Sequence, residues 1–155
     1  MLTPRRFDIE GGCYHTISVT KDRQPVFADS AVAAPLLECI RFTSGSGKAY
    51  VLAYAVMSDH LHLLLSPRSD TLSNIMRSLK RYASKRINEA TRRTGAVWQQ
   101  SFYDRAMRNE HHLRTTIEYI HRNPVVEGLV ATESDYRFSS AHADAFSDLE
   151  TFFGA

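Results

Sequence analysis

His60 and His62 stand two residues apart in the run MSDHLHLLLSP. In a strand, successive side chains alternate faces, so both imidazoles would project to one side while Leu61 and Leu63 project to the other. Two converging imidazoles either hold a metal ion or are half-buried histidines satisfied by hydrogen bonds, and the pair alone does not choose between these. A second run, EYIHRNP, sets Tyr119 and Asn123 four residues apart, on one face of a helix. A hydroxyl nucleophile and an amide oxygen can then approach one ion together. That combination suits transesterification at a phosphodiester. A metal neutralises developing charge, a tyrosine activated by a nearby cation attacks, and the covalent intermediate keeps the bond energy for rejoining.

Other residues of the same types read differently. Tyr82 falls on the apolar side of a helical pattern and has Arg86, not an oxygen ligand, four residues later, which predicts core packing. Tyr14 and Tyr103 have no ligand candidate nearby. His121 lies two residues from Tyr119, roughly on the opposite side of a helix, and is expected to pack or to face solvent. His111 and His112 are expected to be solvated. Between residues 77 and 93, seven residues are basic and one, Glu89, is acidic. Within that stretch Arg77, Lys80, Arg81, Lys85 and Arg86 form a candidate track for nucleic-acid phosphates, although a solvated helix face gives the same pattern. Trp98, Phe102 and Tyr103 can stack on unpaired bases or pack in a core.

The elements that would position these groups follow from periodicity. Tyr14–Thr20 alternates in the manner of an exposed or half-buried strand. Ser30–Phe42 has near-helical apolar spacing and ends in the flexible SGSGK. Residues 50–57 and 60–65 are β-prone runs separated by Ser58 and Asp59, which makes an antiparallel hairpin the economical reading. Leu72–Ala90 repeats apolar residues at three and four, with Thr71 as N-cap and Gly95 as terminator. Trp98–Tyr103 reads as a short aromatic strand or loop. Asn109 caps a helix from about Glu110 to Arg122 that Pro124 would stop. The order predicts one α+β domain over residues 1–155, with helices packed on an antiparallel sheet.

Composition is consistent with that and removes other classes. At 155 residues, 43% hydrophobic and 23% charged, the chain can bury a core. Its longest apolar stretch, residues 49–57, is far short of the ~20 residues of a membrane-spanning helix. The start MLTPRRFDIEGG has no signal-peptide core, so a cytoplasmic protein without a membrane partner is expected. Cys13 and Cys39 have no ligand spacing and read as reduced packing residues. The net charge of +2 is only mildly basic, so the placement of the basic residues says more than their number.

Taken together, the chain resembles the single-tyrosine HUH transposases, and within them the REP-associated tyrosine transposases of bacteria. The resemblance runs from about Gly12 to His142. It is carried by GGCYHTISVT followed by QPVF, by MSDHLHLLLSP, by LSNIMRSLKRYASKRIN, by WQQSFYDRAMRNEHHLRTTIEYIHRNPV and by YRFSSAHA. Two departures stand beside it: Val19-Thr20-Lys21 where a basic Arg-Gly-Asn is frequent, and Phe138 where Trp is common. The resemblance implies the ferredoxin-like HUH nuclease fold and the cutting and rejoining of single-stranded, hairpin-bearing DNA. It implies that His60 and His62 ligate a divalent ion with Asn123 as third ligand, and that Tyr119 forms a 5′-phosphotyrosine link leaving a free 3′-OH. Imidazoles alone would favour Zn, Mn, Fe or Ni, whereas the resemblance implies Mg2+ with Mn2+ as substitute. It also implies a homodimer associated with the bacterial nucleoid. The alternatives are a domesticated nucleic-acid-binding protein that keeps the fold without cleaving, and a metallohydrolase that attacks with metal-bound water.

Overall fold

The computed structural model describes residues 12–154, so the signal-peptide reading of residues 1–11 lies outside the described residues. The chain runs through β1 (Tyr14–Val19), α1 (Ser30–Gly45), β2 (Ala49–Val56), β3 (His60–Pro67), α2 (Leu72–Thr91), β4 (Tyr103–Ala106), α3 (Glu110–Val126) and a short α4 (Leu149–Phe152). The strands form one sheet in the order β2-β3-β1-β4, every neighbouring pair antiparallel. This is the βαββαβ arrangement of ferredoxin-like α+β folds.

Helices cover both faces of the sheet. On one face α1 and α2 pack Leu36, Ile40, Ile75, Leu79 and Ala83 against Tyr14, Tyr54, Leu61, Leu63 and Leu65. On the other, α3 lays Leu113, Ile117 and Ile120 over Ala53, Ala55, Met57 and Leu64. Double coverage explains why β3 reads LHLLL with no polar alternation: both of its faces are buried. A bulge between Val51 and Ala53 adds Leu52 and switches β2 between the two cores.

β1 differs from its sequence reading. It lies between β3 and β4, and its hydroxyl-bearing side is the buried one: Tyr14, Thr16, Ser18 and Thr20 are all at most 1% exposed. The two threonine hydroxyls are accommodated because the backbone takes their hydrogen bonds, whereas the buried Ser18 Oγ has no hydrogen-bond partner among the described residues. Thr16 Oγ1 donates to the Leu63 carbonyl at 2.9 Å, and Thr20 Oγ1 to that of Gln24 at 2.8 Å. The fourth strand also lies later than predicted, over Tyr103–Ala106, while Trp98 makes an isolated bridge to Thr20 and packs on Phe27. Gly95 does not end α2; Arg92 does, in the left-handed conformation at φ 56°. Nor does Pro124 stop α3, which continues to Val126. A missing N–H is tolerated so near a helix end, and the Glu127 N–H closes the turn on the Asn123 carbonyl at 2.9 Å. The caps at Thr71 and Asn109 are as read, accepting from the N–H groups of Asn74 and His112. Tyr82 is half exposed against Phe42 and Arg86, not in the core.

The YRFSSAHA run covers the exposed edge of β2. Val56 N–H donates to the Phe138 carbonyl and Ser140 N–H to that of Tyr54, with an antiparallel bridge between Ala55 and Ser139. Farther along, Asp148 clamps Val51 through both its carboxylate and its N–H.

The basic residues of α2 divide in two. Lys80 Nζ donates to the carbonyls of Gln99 and Ser101, tying the loop before β4 to α2, and Arg86 pairs with Glu38 and meets the Tyr82 hydroxyl. Arg77, Arg81 and Lys85 are exposed. Replacing Lys80 with Met therefore lowers the unfolding free energy by about 1–2 kcal/mol in a urea titration, whereas Arg81→Gln stays within ~0.5 kcal/mol. Equal effects of the two substitutions would refute the division.

Candidate active site

The β1–β3 register brings three imidazoles to the α3 face of the sheet. Ile17 lies opposite His62 and Val19 opposite His60, which places His15 on the same face, diagonal to His62. His15 Nε2 is 2.9 Å from His62 Nδ1, and His62 Nε2 is 3.1 Å from His60 Nε2. His60 Nδ1 is 2.7 Å from Asp59 Oδ1, and Arg23 reaches the other carboxylate oxygen at 3.5 Å. A carboxylate only accepts, so His60 Nδ1 carries the proton and its Nε2 presents a lone pair. Burial tends to raise the Asp59 pKa, but the hydrogen bond from His60 and the charges of His60 and Arg23 outweigh it and hold the carboxyl below its ordinary range. Arg23 is held there by a strained turn in which Asp22 and Arg23 both adopt positive φ, 55° and 49°.

α3 supplies the rest. Asn109 starts it, and its apolar positions seat it on β2, so that Tyr119 meets the histidines and Asn123 follows one helical turn later. The Tyr119 ring stands edge-on to His62 at 5.7 Å between centroids and to His15 at 6.2 Å. It is 55% exposed, so its hydroxyl is open to a partner from solution. Asn123 is 9% exposed, and its Oδ1 is buried with no hydrogen-bond partner. An orphaned carbonyl-type oxygen costs about 1–3 kcal/mol and is kept where it has another use. Among the described residues no group of three or more His, Cys, Asp or Glu side chains is placed to hold a metal. His60 and His62 could supply two nitrogen donors to a divalent ion, and the unpartnered Oδ1 of Asn123 is an oxygen whose chemistry would suit a third.

Beside Tyr119 a groove of about 480 Å³ runs between β4 and α3, lined by Tyr103, Arg105, His112 and Thr115, with His15 also in its wall. Tyr103 is 67% exposed there, whereas Trp98 is buried and Phe102 packs against the core, so the three candidate stacking residues have different environments. His121 packs, 2.7 Å from Ser140 Oγ, and His111 is exposed, while His112 accepts the Arg108 N–H. Cys13 and Cys39 are buried without a disulfide, and burial pushes both thiols up to about 11. The basic residues of α2 lie on the layer opposite Tyr119. Sequence reasoning missed His15, Asp59 and Arg23. His15 had a usable signal, since it shares a strand face with Ile17 and Val19, but only the cross-strand register joins it to His62.

A four-stranded antiparallel sheet carrying a His-x-His strand, with a tyrosine and an amide on the helix above it, defines a class, and comparison with known proteins gives its family. The sequence profile of the IS200-like transposases matches residues 9–123. A protein of Haemophilus influenzae named as a REP-associated tyrosine transposase is 24% identical over 160 aligned positions, covering 96% of this chain and 90% of that one. The REP-associated tyrosine transposase of Escherichia coli is 32% identical over 99 residues, 63% of this chain and 57% of that one. Among solved structures, a REP-associated tyrosine transposase bound to a REP hairpin superposes with a TM-score of 0.70 at 26% identity, covering 90% of this chain and 82% of the other. A crystal structure described as a transposase from Deinococcus radiodurans gives 0.54 at 25% identity, over 79% and 97%. The chain belongs to the IS200-like transposase family, and its relatives within it are REP-associated tyrosine transposases. No helix of the described residues is long and apolar enough to cross a membrane.

Two measurements follow from the site. Asn123→Leu, which keeps the shape and removes the orphaned oxygen, raises the thermal midpoint of the metal-free protein; a lower midpoint would mean that Oδ1 is satisfied. Burial, with the charges of Arg105 and His112, lowers His15 from 6.5 to about 4, and burial, with His60 and His15, lowers His62 to about 3. The unfolded chain therefore binds protons on these rings below about pH 6.5 while the native chain does not. Their contribution to stability is complete above that pH and is lost as the pH falls from about 6.5 toward 4. Thermal melts of the metal-free protein at pH 7.5 and 5 should show the lower midpoint at pH 5, and equal midpoints would contradict the assignment.

Proposed function

We propose that the protein is a metal-dependent single-strand DNA endonuclease and transposase acting on hairpin-bearing, REP-like DNA through a Tyr119 phosphotyrosine intermediate. The observation that carries this reading is an exposed tyrosine edge-on to His62, which meets His60, with an unsatisfied amide oxygen one helical turn along α3. Family membership and the hairpin-bound structural neighbour support the substrate class.

His60, His62 and Asn123 hold the divalent ion, taken as Mg2+ with Mn2+ as substitute. When bound, it polarises the scissile phosphate and neutralises charge developing on it. Tyr119 Oη attacks phosphorus; the Oη–P bond forms and the P–O3′ bond breaks. The 5′ phosphate stays on the enzyme, and the departing 3′ oxygen takes a proton to become a hydroxyl. Rejoining is the reverse, with a 3′-OH as nucleophile, and needs no ATP. The groove beside Tyr119 suits an unpaired strand, with Tyr103 available for stacking and Arg105 for phosphate. Arg77, Arg81 and Lys85, with Lys80 and Arg86 between them, are proposed to grip phosphates away from the cut, since they lie on the layer opposite the groove. The reading includes a homodimer in the nucleoid. The site geometry does not require the second copy, because the tyrosine, both histidines and the amide belong to one chain.

The test is a hairpin-bearing single strand labelled at the end that would remain on the protein. Wild-type protein with Mg2+ forms an adduct stable to denaturing electrophoresis, Tyr119→Phe reduces it to background, and chelation abolishes cleavage. Cleavage retained by Tyr119→Phe would replace this mechanism with attack by metal-bound water. Hairpin binding indifferent to chelator, without cleavage, would make the chain a DNA-binding protein.

A further inference from the structure

We infer that His15 is a positioning residue for the metal site: its Nε2 receives the Nδ1 proton of His62 and so turns the His62 Nε2 lone pair toward the Nε2 of His60. This rests on the metal reading above, and His15 is not one of its ligands.

The argument is one of counting protons along a chain of rings. Each neutral imidazole has one N–H and one lone pair. Asp59 fixes His60, whose Nδ1 proton points at the carboxylate. The contacts from His15 to His62 and from His62 to His60 then admit two arrangements. In one, His15 donates to His62 and His62 donates to His60; every contact is satisfied and no lone pair is left for an ion. In the other, the protons of His15 and His62 move one place while that of His60 stays, His62 donates from Nδ1 to His15, and the Nε2 atoms of His60 and His62 both carry lone pairs. At 3.1 Å the two lone pairs repel unless both are donated to a cation. The second arrangement is thus stable only with the ion bound, and it exists only because His15 Nε2 can switch from donor to acceptor. A backbone N–H would not serve in the same way, since the partner must both donate and accept within a dry site.

His15 is held in place for this. Its ring stacks on His62 at 5.1 Å between centroids with 29° between planes, and the pairing of β1 with both β3 and β4 fixes its backbone. Partners in this outer position tune ligand orientation and basicity, and losing one weakens metal binding about 10–100-fold.

Two variants separate the role from packing. His15→Phe keeps the ring and removes its nitrogens; His15→Gln returns a side chain able to accept or donate near the same place. Titration calorimetry with Mn2+ alone should show binding about 10–100-fold weaker in His15→Phe, largely restored in His15→Gln. In the metal-free wild type, nitrogen NMR of labelled histidine should show His62 protonated on Nε2, with the proton moving to Nδ1 on adding Zn2+, which is diamagnetic. In His15→Phe the metal-free ring should keep its Nε2 proton, and its shift to Nδ1 should require about 10–100-fold more Zn2+ than in the wild type. Undiminished Mn2+ affinity in a folded His15→Phe protein overturns this inference alone. Absence of Mn2+ binding by the wild type overturns the ligand reading, and this inference with it.

Discussion

The register of β1 against β3 is the constraint on which the site depends. With Ile17 opposite His62, the side chains of His15, His60 and His62 share one face and fall within hydrogen-bond distance of one another. A slip of one residue would turn His15 into the α1/α2 core and expose the Thr16 hydroxyl on the catalytic face. The register is protected from both sides. The Thr16 and Thr20 hydroxyls bond to backbone carbonyls on the core side, and β1 is held between two strands. A polar but buried face on β1 is therefore part of what aligns the histidines on the opposite face.

Burial and function pull in opposite directions around that register, and the structure divides the conflict among residues. His15 and His62 are buried deeply enough to stay neutral well below their ordinary pKa, which keeps lone pairs available as a ligand environment requires. Asn123 goes further and carries a buried oxygen with no hydrogen-bond partner among the described residues. Tyr119, on the same turn of helix, stays exposed. The turn after β1 adds backbone strain at Asp22 and Arg23, and it delivers a guanidinium to the carboxylate that orients His60. These local departures from stability surround the proposed chemistry, as expected where strain and unsatisfied groups gather at a functional site.

Much of this was legible in the sequence. The hairpin, the three long helices, the α+β order and the pairing of a His-x-His strand with a helical Tyr and Asn all follow from periods of two and 3.6, and the Thr71 and Asn109 caps from side-chain chemistry. What escaped were properties of the assembled sheet. The hydroxyls of β1 suggest solvent until its two neighbours are known. Trp98–Tyr103 is aromatic enough for a strand, yet the partner for β1 begins at Tyr103 because Trp98 is drawn into the core beside Phe27. Tyr82 has the spacing of a buried residue but lies where α1 and α2 diverge toward solvent, against Phe42. His15 escaped because a contact between residues 47 apart in the chain has no local signature.

The two layers divide the work. The α1/α2 layer holds most of the large buried side chains and the Lys80 clamp on the loop before β4, whereas the α3 layer has a smaller core and a helix that presents Tyr119 and Asn123. The central strands β2 and β3 are buried on both faces, so α3 can carry an exposed tyrosine and an unsatisfied amide without the larger core having to absorb either. The edge of β2 is covered by the YRFSSAHA segment, which leaves the β4 edge as the side from which an unpaired strand can approach Tyr119. Chain order thus places the approach route last among the strands and directly before the helix that bears the nucleophile. A substitution in the loop held by Lys80 would for that reason act on the groove through the position of β4 while leaving the three histidines, set by β1 and β3, where they are.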